Sequence, residues 1–122
     1  MAKLMGIAVV GPCTAGKSTL VTNLKRRGYN AWGVAQEHSD VKWLWKHKNP
    51  NFLVALDVTL EAAHKRRNIS WGERKLADQH LALADARAHC NVYLPTDNIT
   101  ADEVAVRVVE DIERYCLFFP LG

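Results

Sequence analysis

Two stretches of the chain, Leu4-Met5-Gly6-Ile7-Ala8-Val9-Val10 and Phe52-Leu53-Val54-Ala55-Leu56, contain no polar side chain. A strand with one wet face alternates apolar and polar residues. An unbroken apolar run closed by turn residues therefore reads as a strand buried on both faces, the usual state of a parallel sheet covered by helices. This constrains the fold more than any other feature, because parallel neighbours need crossover connections that are usually helical.

Helical patterns fill the gaps. From Lys17 the apolar residues Leu20, Val21 and Leu24 fall on one face, and Lys25-Arg26-Arg27 followed by Gly28 gives a basic last turn and a glycine stop. Ala31 to Ala35 is a second strand, closed by Gln36-Glu37-His38-Ser39, and the tryptophan-bearing segment Val41 to Lys48 is a short helix ended near Asn49-Pro50. The third strand ends at Asp57, and Thr59 caps a helix from Leu60 to Arg67. Ser70-Trp71-Gly72-Glu73 has the form of a capping box opening a helix to about His89, with Leu76, Leu83 and Ala84 on one face. Asn91 to Leu94 is the fourth strand. Thr100-Ala101-Asp102-Glu103 is a second capping box, before a helix that carries Val104, Val108, Ile112 and Tyr115. Strands alternating with helices predict a three-layer α/β/α sandwich with a mainly parallel four-stranded sheet and right-handed crossovers. No repeat or linker divides residues 1–122, so a single domain is expected.

Net charge is +3, with acidic and basic residues interspersed. This suits a small anionic ligand and is too mild for nucleic acid, which calls for a basic stripe. Cys13, Cys90 and Cys116 are odd in number and form no C-x-x-C pair, so neither a disulfide framework nor a zinc site is expected. Pro12 stands directly before Cys13 and no small-residue cleavage site follows the apolar start, which argues against a signal peptide. With no run as long as a membrane span, a reduced cytoplasmic setting without membrane contact is expected.

Between the first strand and first helix lies Gly11-Pro12-Cys13-Thr14-Ala15-Gly16-Lys17-Ser18-Thr19. Residues Gly11 to Ser18 fit G-x-x-x-x-G-K-[ST] in the strand-to-helix context the mechanism requires. Gly11 and Gly16 permit backbone torsions closed to other residues, so successive N–H groups can converge on one anion. The helix opening at Lys17 adds the positive end of its dipole. Lys17 is placed for β- and γ-phosphates, the Ser18 hydroxyl for Mg²⁺ and Thr19 for the α-phosphate.

These residues resemble the P-loop kinases of the nucleoside and nucleotide kinase type. Phe52 to Arg67, FLVALDVTLEAAHKRR, is similar to their later strand ending in Leu-Asp and the arginine-bearing lid helix after it. Asn91 to Val104, NVYLPTDNITADEV, is similar to their last strand, Thr-Asp loop and final helix. The resemblance implies the P-loop NTPase fold, and lid contacts to the nucleotide from Arg66, Arg67 or Arg74. It also implies a loop at Thr96-Asp97 bordering adenine. ATP and Mg²⁺ are the implied ligands. No N-K-x-D stretch or D-x-x-G switch points to guanine.

Such chemistry needs an acid near Mg²⁺. Glu37, at the end of a second strand lying beside the first, is one candidate for metal ligand and catalytic acid–base group. Asp57, ending the third, is the other. Where members of the family often carry Asp-Arg, this chain has Glu37-His38. Trp43 and Trp45 lie where an acceptor would bind or pack over the sheet edge. Only Ser39 to Asn51 occupies the place of the insertion that holds the acceptor in related kinases, so a second subunit, as in a homodimer, is the expected source of further cover. The expected activity is transfer of the γ-phosphoryl of ATP–Mg to a small-molecule acceptor. Nucleotide binding or slow hydrolysis without transfer is the alternative.

Overall fold

The computed structural model describes residues 5–66 and 72–118. Strands β1 (Gly6–Val10), β2 (Asn30–Gly33), β3 (Phe52–Asp57) and β4 (Val92–Pro95) form one sheet in the order β2-β1-β3-β4. Every neighbouring pair is parallel, with Val9 level with Gly33 on one side and Val54 on the other, and Asp57 level with Pro95. The helices are α1 (Lys17–Arg26), α2 (Leu60–Arg66), α3 (Glu73–Ala82), α4 (Ala84–His89) and α5 (Ala101–Phe118).

The unbroken apolar runs are explained by two cores, one on each face of the sheet. Ile7, Val9, Val54 and Leu56 pack with Leu20 and Leu24 of α1 and with Val108 and Ile112 of α5. Their sequence neighbours Ala8, Val10, Leu53 and Ala55 point the other way, toward Trp45, Leu83 and Ala86. Burying one aliphatic side chain in this way contributes about 1.5–3 kcal/mol. A truncation such as Leu24→Ala costs about 2–5 kcal/mol, because the cavity adds to the lost transfer energy.

The helix ends follow the residues predicted for them. Gly28 takes φ 88° after α1, and the Tyr29 N–H donates to Leu24 O at 3.0 Å, closing the last turn. The Thr59 hydroxyl accepts from Ala62 N at 3.2 Å. At α5, Thr100 and Glu103 exchange reciprocal bonds of 3.1 Å, completing the capping box.

Three elements differ from expectation. β2 ends at Gly33 instead of Ala35, because Val34 N makes the last bond to β1, at 2.9 Å to Val9 O, before β1 gives way to its loop. Gln36 to His38 then forms a 3-10 turn anchored by the wholly buried Gln36, whose amide donates to Val41 O at 2.7 Å and accepts from Trp45 N at 2.9 Å. In the tryptophan segment only Leu44 to Lys46 forms a 3-10 turn. Trp45 is buried and donates to Asp85 at 2.8 Å, while Trp43 is exposed. The helix expected to run to His89 breaks at Leu83, whose N–H is shared between Gln79 O and His80 O. It opens at Glu73 behind Gly72, and Ser70 and Trp71 of the expected capping box lie outside the described residues. Among the described residues, no helix is long and apolar enough to cross a membrane.

Candidate functional site

The loop Gly11–Gly16 leaves the sheet at β1, which has a parallel neighbour on each side. Gly16 adopts φ 98° and Thr14 adopts φ 71°, so the chain turns through left-handed conformations just ahead of α1. Gly11 is required for a different reason from the one predicted. Its φ is not positive, but a Cβ there would stand 2.9 Å from the backbone oxygen of Leu56, so the close approach of β3 excludes any side chain.

Backbone donors collect at this turn. Ala15 N bonds Pro12 O at 3.2 Å, and Cys13 N donates to the side-chain oxygen of Gln79 at 3.0 Å. The N–H groups of Thr14, Gly16, Lys17, Ser18 and Thr19 have no hydrogen-bond partner among the described residues. No side chain caps α1 and no acidic residue lies in its first turn, so its positive end is uncompensated.

Lys17 lies across the loop. Its ammonium donates to Gly11 O at 2.7 Å and is paired with the Glu37 carboxylate. Glu37 comes from the 3-10 turn after β2 and not from the strand end itself. Its side chain is 4% exposed, and its Oε1 is buried without a hydrogen-bond partner. A buried carboxylate in this position depends on a cation. The Ser18 and Thr19 side chains are exposed on the first turn of α1.

Asp57, the second acid expected near a metal, is held by other groups. Its carboxylate accepts from Val58 N at 2.8 Å and from the Tyr93 hydroxyl, and stands 2.9 Å from His80 Nε2 and 3.6 Å from Arg87. Burial alone would raise its pKa. The hydrogen bonds from Tyr93, His80 and the Val58 N–H outweigh that effect, with the His80 charge, and hold it below the ordinary carboxyl range. The same contact acts in the opposite sense on Tyr93: burial and then the Asp57 carboxylate push its hydroxyl up to about 12.

On the other side of the loop is a cavity of about 290 Å³, toward the small end of ligand-pocket sizes. Thr14, Gly16, Thr19, Arg66, Thr96 and Ile99 contribute to its wall. Arg66 donates to Thr14 O at 2.8 Å, to the Thr96 hydroxyl at 2.9 Å and to the Thr96 carbonyl. The Thr96 hydroxyl also lies 2.9 Å from Ala15 O. Asp97 faces a neighbouring pocket, and its carboxylate accepts from Thr59 N at 2.9 Å, ahead of α2. Arg74 is exposed, and Arg67 lies outside the described residues.

The structure thus brings Lys17 and Glu37 together and sets Thr96 and Arg66 against the loop, while Asp57 belongs to a separate cluster. Sequence reasoning missed Gln79, His80 and Tyr93. Gln79 carries a signal in retrospect: it is a polar residue in the i+3 place between Leu76 and Leu83, on the face that α3 buries. No known protein-family model matches this chain, and no curated protein matches it.

Proposed function

We propose that this chain is an ATP-binding P-loop protein, a small kinase-like phosphotransferase acting on the γ-phosphoryl group of ATP–Mg. One observation carries the reading: the N–H groups of Thr14, Gly16, Lys17, Ser18 and Thr19, unpaired among the described residues, at an uncapped helix start with the Lys17 ammonium alongside. Converging amides at a positive helix end suit a polyphosphate better than any neutral ligand.

The residues present also suit Mg²⁺. Glu37 has a buried carboxylate oxygen without a partner, and the Ser18 hydroxyl stands exposed on the first turn. Mg²⁺ bound there would neutralise charge on the β- and γ-phosphates. With a polyphosphate in the loop, Lys17 would turn from Glu37 toward it, and the Glu37 carboxylate would be available to hold the metal. The loop amides hold the phosphate chain in place, and the cavity beside Thr96 and Arg66 receives the rest of the nucleotide. Catalysis of this kind is largely positioning and charge stabilisation.

The alternative is nucleotide binding or slow hydrolysis without transfer. It is favoured by residues 36–51, which contain two short 3-10 turns and engage α4 through Trp45 and Asp85, leaving little chain to enclose an acceptor. The binding reading is tested by thermal unfolding: ATP–Mg is expected to raise the midpoint, and Lys17→Ala to abolish the rise. No rise at millimolar ATP overturns it. Transfer of labelled phosphoryl to nucleosides, sugars and small alcohols, as against release to water alone, separates the two readings.

A further inference from the structure

Beside the phosphate loop, Cys13, Glu37 and His38 bring three different ligand types to one point. Cys13 Sγ is 3.3 Å from His38 Nε2, and His38 Nε2 is 3.8 Å from Glu37 Oε2, the oxygen that the Lys17 ammonium also contacts. One ligand atom from each of the three lies within 4.8 Å of the others. Around a tetrahedral zinc ion, ordinary Zn–S and Zn–N bond lengths place sulfur and nitrogen about 3.5 Å apart, with oxygen and nitrogen slightly closer. The Cys13–His38 pair already stands near that spacing, the His38–Glu37 pair is a few tenths of an ångström wider, and the Cys13–Glu37 pair lies within 4.8 Å.

The other oxygen of the same carboxylate is also open to a cation. The Glu37 side chain is 96% buried by its 4% exposure, yet its Oε1 has no hydrogen-bond partner. An orphaned buried carboxylate oxygen is costly unless something cationic or protic reaches it. Nearby, Gln79 is 2% exposed and grips Cys13 from both ends of its amide, accepting from the backbone N–H at 3.0 Å and approaching the sulfur at 3.7 Å. Such an outer contact fixes the orientation of a ligand. His38 is half exposed, which leaves a route from solvent.

We propose that Cys13, Glu37 and His38 form a three-ligand site for a thiophilic divalent cation of the zinc type, with its fourth position open. A thiolate–imidazole–carboxylate set selects zinc-like ions over Mg²⁺, which prefers all-oxygen surroundings. Binding deprotonates the Cys13 thiol and releases that proton to solvent. The site shares Glu37 with Lys17, so zinc and the ammonium compete for one carboxylate. The metal site does not depend on nucleotide binding by the loop.

The test uses Co²⁺ as a spectroscopic probe and Zn²⁺ in competition with a chromophoric chelator, on reduced full-length protein. A Cys90→Ser/Cys116→Ser background excludes the other thiols. One equivalent of Co²⁺ is expected to give a thiolate charge-transfer band and tetrahedral visible bands, both removed by Cys13→Ser. His38→Ala, at a half-exposed position that folding tolerates, is expected to weaken Zn²⁺ binding at least tenfold. Lys17→Met is expected to tighten it while losing any response to ATP. Absence of the charge-transfer band, or Zn²⁺ affinity unchanged by both Cys13→Ser and His38→Ala, overturns the proposal.

Discussion

Arg66 grips Thr96 twice, donating to its hydroxyl at 2.9 Å and also to its backbone carbonyl. A third bond from the same guanidinium, at 2.8 Å to Thr14 O, makes one side chain the tie between the end of α2, the loop after β4 and the loop after β1. These segments are far apart in sequence, and the Thr96 hydroxyl adds a further bond between two of them, at 2.9 Å to Ala15 O.

Removing that tie has a calculable cost. Arg66→Ala leaves the Thr14 and Thr96 carbonyls without their charged donor, a loss of about 1–3 kcal/mol. Chemical denaturation is expected to show a lower midpoint with an unchanged slope. Because Arg66 also lines the cavity, any stabilisation by ATP–Mg is expected to fall further than the stability loss alone explains.

The two loop glycines will not behave alike. Gly11→Ala drives a Cβ to 2.9 Å from a β3 backbone oxygen that cannot retreat without disturbing the sheet, and overpacking of that kind costs about 1–3 kcal/mol. At Gly16 an added Cβ meets nothing within 4 Å, so the penalty is the left-handed backbone alone, about 1–2 kcal/mol. Gly16→Asn is therefore expected to recover part of the loss seen in Gly16→Ala, and Gly11→Asn to recover none. Thermal melts of the four variants check this.

The parity of the strands was legible in the sequence, because a run such as Ile7 to Val10 must supply both cores at once. The turn ahead of α1 and the helix itself were legible too, from the glycine at its start and the apolar face of Leu20, Val21 and Leu24. What could not be read were features fixed by partners distant in sequence. β2 stops at Gly33 because β1 runs out beside it, and nothing in Val34-Ala35 announces that. The bend at Leu83 has no glycine or proline to mark it. Asp57 read as the alternative metal-side acid, because its neighbours His80, Arg87 and Tyr93 come from α3, α4 and β4. The burial of Gln36 and Gln79 rests on the groups that satisfy their amides, which come from other segments.

Acid is expected to weaken the Asp57 cluster. The folded-state pKa of Asp57 is lowered, so its stabilisation is present above the ordinary carboxyl value of about 3.9 and fades as pH falls through the lower folded value. Asp57→Asn is expected to reduce stability at neutral pH and to flatten the decline between about pH 4 and the acid limit. A series of urea midpoints against pH measures both effects, and an unchanged acid limb would place the sensitivity elsewhere.

Alkali tests a different contact. Burial, reinforced by the Glu113 carboxylate that accepts its hydroxyl at 2.6 Å, raises Tyr29 to about 12. A raised folded value means that this contribution is complete below the ordinary tyrosine pKa of about 10 and is lost as pH climbs toward the folded one. Tyrosinate absorbance lost in a Tyr29→Phe difference titration is expected to centre near the upper value, and Glu113→Gln to move it down.

The central place of β1 bears on the order in which this molecule can fold. Its hydrogen-bonding edges face Asn30–Gly33 on one side and Phe52–Asp57 on the other, so a nascent chain emerging from the ribosome holds its first strand half-paired until the third has been synthesised. Through that interval the glycine-bearing bend at its end has nothing to lean on, since the Leu56 backbone that confines Gly11 has yet to leave the exit tunnel.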